Sequence, residues 1–151
     1  MDQNKILVSA CLLGERVRYD GKIVLHDNGV LKKLQKEGRV ISICPEVEGG
    51  LSVPRDPAEI VGDKVITTNK KDVTKEFHKG ALLALELVKK HGIKVAILKS
   101  NSPSCSCKFV YDGTFSKKLI KGKGVCAKLL QENGVKVFDE RDDLGVVLAY
   151  L

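Results

Sequence analysis

Three of the five cysteines follow apolar segments, and they are the residues of this sequence best suited to chemistry. Cys11, Cys44 and Cys105 each come directly, or within a few residues, after a short apolar run. Thiolates are soft ligands that select zinc, copper(I) or iron–sulfur clusters. From their spacing alone, the three cysteines could form a metal site or could simply pack in the core. Cysteine is among the most buried residue types, which keeps the second interpretation open.

The other two cysteines have different surroundings. Cys126 lies at an apolar position of a predicted helix, so we interpret it as a packing residue. Cys107 forms a Cys-x-Cys pair with Cys105. An odd number of cysteines, in a compartment that we infer to be reducing, argues against a disulfide framework. The thiols are therefore left for packing, metal binding or nucleophilic chemistry.

Polar side chains accompany each of the three cysteines. Glu46 follows Cys44 after one proline, and a serine-rich segment leads to Cys105. Several reactive residue types in glycine- and proline-rich loops are typical of a functional site, although each residue alone also fits a turn or a cap. The polar residues singled out on this basis are Arg18, Tyr19, Asp20, Glu46, Lys99, Ser100, Ser102 and Ser104.

The segments that carry these residues alternate between strand and helix patterns. Strands are predicted over 5–10, 39–43, 94–98 and 135–138, helices over 27–37, from after position 74 to about 90, over 125–132 and over 141–151, and a β-hairpin over 58–67. Thr74 is the expected cap of the second helix, and 46–57 and 100–124 are expected to be irregular. The pattern predicts an α/β fold: one three-layer domain over 1–151, with a mostly parallel sheet of about four strands plus a small β-hairpin.

A parallel sheet gives the three cysteines a common location. The carboxyl ends of parallel strands lie at one edge of the sheet, where open α/β sheets bind their ligands. Cys11, Cys44 and Cys105 are then expected to converge there, although they are far apart in the sequence.

Composition and charge exclude several classes of protein. Of 151 residues, 43% are apolar, which is enough for a folded core, and no apolar run is long enough to span a membrane. We interpret the N-terminus as that of a mature cytoplasmic protein. The 26 Lys and Arg against 19 Asp and Glu leave a net charge of +7, but tryptophan is absent and aromatic residues make up only 5%. The charge is therefore only a weak indication of nucleic-acid binding.

Several multi-residue motifs, in order along nearly the whole chain, resemble the DUF523 family. The first is Ser9-Ala10-Cys11-Leu12-Leu13-Gly14 with Val17-Arg18-Tyr19-Asp20-Gly21. The second is Cys44-Pro45-Glu46-Val47 with Gly49-Gly50-Leu51 and Pro54-Arg55. The third comprises Leu98-Lys99-Ser100, Ser102-Pro103-Ser104-Cys105, Tyr111-Asp112-Gly113-Thr114-Phe115 and Gly122-Lys123-Gly124.

The resemblance implies an enzyme and a cofactor. Stand-alone members of the family include thiouracil desulfidases, which remove sulfur from thiouracil without redox chemistry and leave uracil and sulfide. The resemblance implies a [4Fe-4S] cluster held by three cysteines, which correspond to Cys11, Cys44 and Cys105, with the fourth iron open to the substrate sulfur. The family's glutamate and serine correspond to Glu46 and Ser102.

The resemblance also suggests roles for the polar residues. We expect Glu46 to act as the general base for an attacking water, and Ser102 to donate a hydrogen bond to the pyrimidine or to relay a proton. Lys99 is expected to stabilise developing negative charge. The residues expected to bind the substrate are Ser100, Arg18, Tyr19 and Asp20.

One departure from the family pattern leaves alternatives open. The family usually has glycine after the third cysteine, whereas this chain has Ser106-Cys107. We expect Cys107 to point away from the metal, but a zinc site in a non-catalytic domain, made of Cys11, Cys44, Cys105 and Cys107, is an alternative. A second alternative is desulfidation of thiolated tRNA, favoured by lysines at 117, 118, 121 and 123. A third is a cysteine-nucleophile hydrolase with His26, His78 or His91 as its base.

Overall fold

The computed structural model describes residues 4–15, 17–21 and 29–151. The strands are β1 Ile6–Ser9, β2 Val40–Ile43, β3 Ala58–Val61, β4 Lys64–Thr67, β5 Val95–Leu98, β6 Phe109–Tyr111, β7 Leu119–Lys121 and β8 Lys136–Asp139. The helices are α1 Gly29–Lys36, α2 Pro45–Glu48, α3 Thr74–His91, α4 Val125–Glu132 and α5 Leu144–Val147. Two 3₁₀ turns cover Ala10–Leu13 and Leu148–Tyr150. The expected helix start at Asp27 and the candidate base His26 lie outside the described residues.

The central sheet has four parallel strands in the order β2-β1-β5-β8. Every residue of β1 and β5 is buried, as the continuous apolar runs of these strands predict for a sheet covered on both faces. Ile6 and Val8 point into a core shared with α1 and α5, whereas Leu7 points into a core shared with α3 and α4. The predicted three-layer α/β architecture is confirmed, with one small hairpin, β3–β4, where it was expected.

The irregular segment predicted over 100–124 is partly wrong, because it contains a second hairpin. Strands β6 and β7 pair antiparallel, with Val110 opposite Ile120. Each strand has three residues, and all three residues of β7 are exposed, so this hairpin lacks the apolar alternation by which strands are predicted. The loop predicted over 46–57 likewise begins with the short helix α2.

Two helix ends also differ from expectation. Thr74 is the first residue of α3 rather than its cap, and its Oγ1 instead accepts a hydrogen bond from the Val65 N–H at 2.9 Å. The final helix, predicted over 141–151, shortens to α5 and a 3₁₀ turn. The Asp143 side chain caps α5 by accepting hydrogen bonds from the Gly145 and Val146 N–H groups, so the helix begins after it. Across the described ranges, no helix combines the length and apolar character needed to cross a membrane.

Helices α2 and α3 pack closely because glycines face each other's backbone. A Cβ atom at Gly80 of α3 would overlap the Pro45 carbonyl, and one at Gly49 would overlap the Glu76 carbonyl. Only glycine permits this backbone approach. The contact holds α2, and with it the segment that follows Cys44, against the longest helix of the protein.

We predict that Gly80→Ala lowers the free energy of unfolding by about 1–3 kcal/mol, because the added methyl group displaces backbone that has no free space. The matched control is Gly29→Ala in α1, where an added Cβ meets nothing within 4 Å. This control should be neutral or should stabilise the protein by up to about 1 kcal/mol. Urea unfolding followed by circular dichroism compares the two variants, and equal stability would contradict the packing described here.

Candidate active site

A pocket of about 520 Å³ opens at the carboxyl ends of β1, β2 and β5. Cys11 lies in the 3₁₀ turn after β1, Cys44 directly follows β2, and Cys105 lies in the loop after β5. All three cysteines line this pocket, so the tertiary structure brings them together as their strand-end positions predicted. The pocket lies where doubly wound α/β sheets bind ligands.

Burial keeps the three thiols protonated in the absence of a metal. It raises the pKa of Cys11 to about 11, with a further contribution from Cys44. Burial also raises the pKa of Cys44, and it raises the pKa of Cys105 well above its usual value. Cys11 contributes to the shift of Cys105, which places these thiols within one electrostatic neighbourhood. A bound cation would therefore have to stabilise the thiolate forms.

The chemistry of the donor set fits an iron–sulfur cluster. Three cysteines line one pocket, and each cysteine of such a cluster binds a different iron. Soft thiolate ligands are also the chemical type that such clusters require.

Cys107 and Cys126 lie outside the lining of this pocket. Burial, followed by the charge of Asp139, raises the pKa of Cys107 to about 11, and its other charged neighbours are Lys108 and Asp142. Cys126 is fully buried in the core between the sheet and α4, as the packing interpretation predicted. The zinc site with Cys107 as fourth ligand therefore lacks its fourth thiol at the pocket.

Glu46 is held at the pocket by an arginine and a serine. It lies in α2, next to the Pro45 that starts the helix, and its Oε1 accepts a hydrogen bond from Arg55 Nε at 3.2 Å. Its Oε2 lies 3.5 Å from the Ser102 hydroxyl, which is the donor. The same Ser102 oxygen accepts hydrogen bonds from the N–H groups of Ser104 and Cys105 at 3.1 and 3.0 Å. Ser102 thus connects the carboxylate to the backbone of the cysteine loop.

Arg55 is a site residue to which the sequence interpretation assigned no role. Its guanidinium also donates to the Val17 and Ser52 carbonyl oxygens at 3.0 and 3.1 Å, and only 8% of its side chain is exposed. A planar guanidinium with all these partners holds the Glu46 carboxylate in a defined orientation. The Pro54-Arg55 dipeptide was part of the family motif, which is the signal that could have identified it.

Glu140, the residue that follows β8, holds Lys99 and Ser100 in place. The Lys99 Nζ lies 3.2 Å from Ser100 Oγ and 3.6 Å from Glu140 Oε2, and the Lys99 N–H donates to Ser9 Oγ. Glu140 Oε1 accepts the Ser100 N–H at 2.8 Å. Glu140, which the sequence did not identify, therefore orients both residues at the pocket wall. Lys99 and Ser100 line the pocket as predicted.

Two of the three predicted residues in the loop after Cys11 line the pocket. Arg18 and Tyr19 do so, with the guanidinium 5.8 Å from the centre of the tyrosine ring. Asp20 lies outside the pocket lining and pairs with Arg18 at 3.5 Å. Its expected contact with the substrate therefore stays a prediction, and its ion pair is with a residue that does line the pocket.

The histidines proposed for a hydrolase lie elsewhere. His78 and His91 belong to α3, and neither lines the pocket that holds the cysteines. Within the described residues, then, no histidine stands beside a candidate nucleophilic thiol. The pocket also contains residues to which the sequence interpretation gave no role, from β3 and the β6–β7 hairpin. These are Glu59, Tyr111, Phe115 and Lys117.

Comparisons with known proteins agree with the resemblance read from the sequence. Residues 6–142 match the sequence model of the 2-thiouracil desulfurase family. The uncharacterized protein YbbK of Bacillus subtilis (strain 168) is 41% identical over 147 residues, covering 91% of this chain and 96% of that protein. A solved structure of the [4Fe-4S]-dependent thiouracil desulfidase TudS is 46% identical, covers 97% of both chains and superposes with a TM-score of 0.94.

Proposed function

This chain belongs to the 2-thiouracil desulfurase family, and we propose on that premise that Cys11, Cys44 and Cys105 hold a [4Fe-4S] cluster at which a thiolated pyrimidine is hydrolysed. The protein is a desulfidase that cleaves a C–S bond. Thiouracil and water give uracil and hydrogen sulfide: the C=S bond is replaced by C=O, and no electrons are transferred. The observation that carries the proposal is the convergence of three thiols and the Glu46 carboxylate on one pocket.

The cluster, when bound, supplies a thiophilic Lewis acid at an iron that no protein side chain ligates. The chain itself must supply the water and the proton transfers. Glu46 is the candidate base, because its carboxylate lines the pocket beside Cys44 and is held there by Arg55. In this role Glu46 takes a proton from the attacking water, whose oxygen forms the new bond to the thiocarbonyl carbon.

Ser102 supports this proton transfer. Its hydroxyl donates toward Glu46 while its oxygen is held by two backbone N–H groups, so the hydroxyl has a defined direction. In the proposed mechanism it passes a proton between Glu46 and the substrate. The departing sulfur needs two protons in total, and Glu46 and Ser102 provide a route for those released by water.

Lys99, Ser100, Arg18 and Tyr19 form the polar part of the pocket around the substrate. The Lys99 ammonium, paired with Glu140, stabilises negative charge on the pyrimidine as the water attacks. The Ser100 hydroxyl, Arg18 and the Tyr19 ring orient the ring and its carbonyl groups. Free thiouracil is the substrate we favour, since the charge pattern alone does not require tRNA.

The compartment and the number of domains are two further parts of the proposal. We propose the cytoplasm as the protein's compartment, because an odd number of cysteines does not suit the disulfide framework of a secreted protein. We treat residues 1–151 as one domain, because the two larger hydrophobic cores pack on opposite faces of one sheet.

The direct test is sulfide release from thiouracil by protein reconstituted with iron and sulfide without oxygen. We expect uracil and sulfide in equal amounts, with thiolated tRNA a poorer substrate. Reconstituted protein that holds the cluster but releases no sulfide from thiouracil would refute the proposed substrate. Faster, strongly salt-dependent turnover of thiolated tRNA would replace it with the nucleic-acid substrate.

A further inference from the structure

The β6–β7 hairpin forms one wall of the pocket, and the proposed mechanism uses no residue of this wall. Tyr111 and the loop residues Phe115 and Lys117 line the same pocket as the three cysteines. Among the described residues that line the pocket, Phe115 is the only one with a purely apolar aromatic side chain, and 38% of its surface is exposed. An open apolar ring at a pocket has surface available to cover a flat, uncharged ligand.

The backbone of this loop adopts a conformation that such residues avoid. Phe115 and Lys117 have φ angles of 60° and 62°, in the left-handed region that is unfavourable for side chains with a Cβ. Residues remain in such conformations only where the surrounding structure holds them, and this occurs most often at ligand sites. The loop must therefore have an anchor.

Glu59 of β3 is that anchor. Its Oε1 accepts hydrogen bonds from the Gly113 and Phe115 N–H groups, at 3.0 and 3.2 Å. Gly113 allows the loop to lie this close, because a Cβ there would come within 2.7 Å of the Ile60 carbonyl oxygen. Asp112 adds a local hydrogen bond from the Thr114 N–H. The carboxylate therefore holds the backbone of Phe115 itself.

We propose that Phe115 forms the face against which the pyrimidine ring packs, and that Glu59 is a positioning residue that holds Phe115 there. The proposal rests on the function proposed above and names its substrate contact. Aromatic side chains stack on bases of any sequence, because every base has a flat π-face. The Tyr19 ring, in the loop after Cys11, already contacts the Arg18 guanidinium. Its face is therefore less available to a ligand than that of Phe115.

Replacement of the ring tests the contact. Phe115→Ala should raise the KM for thiouracil by roughly tenfold to a hundredfold, with a much smaller change in kcat, because a stacked base contributes on this scale. Phe115→Tyr should keep the KM of the wild-type protein. The matched control is Phe109→Ala, since Phe109 lies in the same hairpin with 39% exposure but does not line the pocket. An unchanged KM in Phe115→Ala would overturn the proposal.

The anchor is tested by a pair of substitutions at Glu59. Glutamine keeps the carbonyl oxygen that accepts both N–H groups, so Glu59→Gln should retain the KM and kcat of the wild type. Glu59→Ala should raise the KM as Phe115→Ala does and leave the cluster absorption unchanged. Hydrogen exchange at the Gly113 and Phe115 amides should become faster in the alanine variant alone. Equal loss of kcat in both variants would instead assign Glu59 a proton-transfer role and overturn the positioning role.

A binding measurement separates this inference from the proposed function. The dissociation constant of uracil, a probe that carries no sulfur, should rise in Phe115→Ala and Glu59→Ala and not in Phe109→Ala. If the wild-type protein releases no sulfide, the proposed function fails, while uracil binding and amide exchange still decide the role of the hairpin. If sulfide is released and uracil binds equally to all variants, only the hairpin proposal fails.

Discussion

Cys11→Ala, Cys44→Ala and Cys105→Ala will each lose the iron–sulfur cluster and sulfide release, whereas Cys107→Ala will keep both. The reason is position: the first three thiols line one pocket and Cys107 lies among Asp139, Lys108 and Asp142. The proposed cluster has only three protein ligands. Removal of one cysteine leaves two, and we expect two thiolates to be too few to hold the cluster. Turnover should fall to background, the largest effect that we expect from any single substitution.

The measurement is iron and acid-labile sulfide per chain, with a visible spectrum, after reconstitution without oxygen. The wild type and Cys107→Ala should bind about four iron atoms per chain. Circular dichroism of each alanine variant checks that the fold persists, since Cys11 and Cys105 are buried. Zinc that depends on both Cys105 and Cys107, with no iron, would restore the alternative of a zinc-stabilised domain.

Glu46→Gln is expected to keep the cluster and to lose roughly a hundredfold to ten-thousandfold in kcat, the usual contribution of a general base. Glutamine retains an oxygen for Arg55 Nε and has nearly the same volume, so the local geometry should survive. What it lacks is the ability to accept a proton from water. The visible spectrum of the variant should match that of the wild type.

The control for this variant is Glu48→Gln in the same helix. Glu48 is exposed and does not line the pocket, so its loss removes the same charge from α2 without touching the site. We expect the activity of this control to equal that of the wild type. Retained turnover in Glu46→Gln would remove Glu46 as the base and direct attention to Ser102.

Regular apolar patterns explain how much of the fold was predictable. The central strands are continuous apolar runs, α3 repeats its apolar residues at helical spacing, and α4 was placed at its observed bounds, Val125–Glu132. The positions of Cys11 and Cys44 at strand ends followed from the same patterns. Convergence of the three thiols needed only one further rule, that parallel strands end at one edge.

The family, its cluster and the candidate base also came from the sequence, because they depend on short motifs. A motif such as Cys44-Pro45-Glu46 places a carboxylate beside a thiol through covalent connection alone. The same reasoning does not extend to Asp20, because adjacency along a turn does not determine which way each side chain points. Asp20 forms an ion pair with Arg18 and is not among the residues that line the pocket.

The residues that hold the site were decided only by the tertiary structure. Arg55 reaches Glu46 and Val17, Glu140 reaches Ser100 from 40 residues away, and Glu59 reaches Phe115 from 56 residues away. Local propensity and periodicity depend on residues that are close in the sequence. They therefore cannot predict contacts between residues that are far apart in it. The sequence by itself thus determined the sheet, the thiols and the candidate base. The orientation of these groups depended on the packing of distant segments, because a polar side chain takes its direction from the partner that folding brings to it.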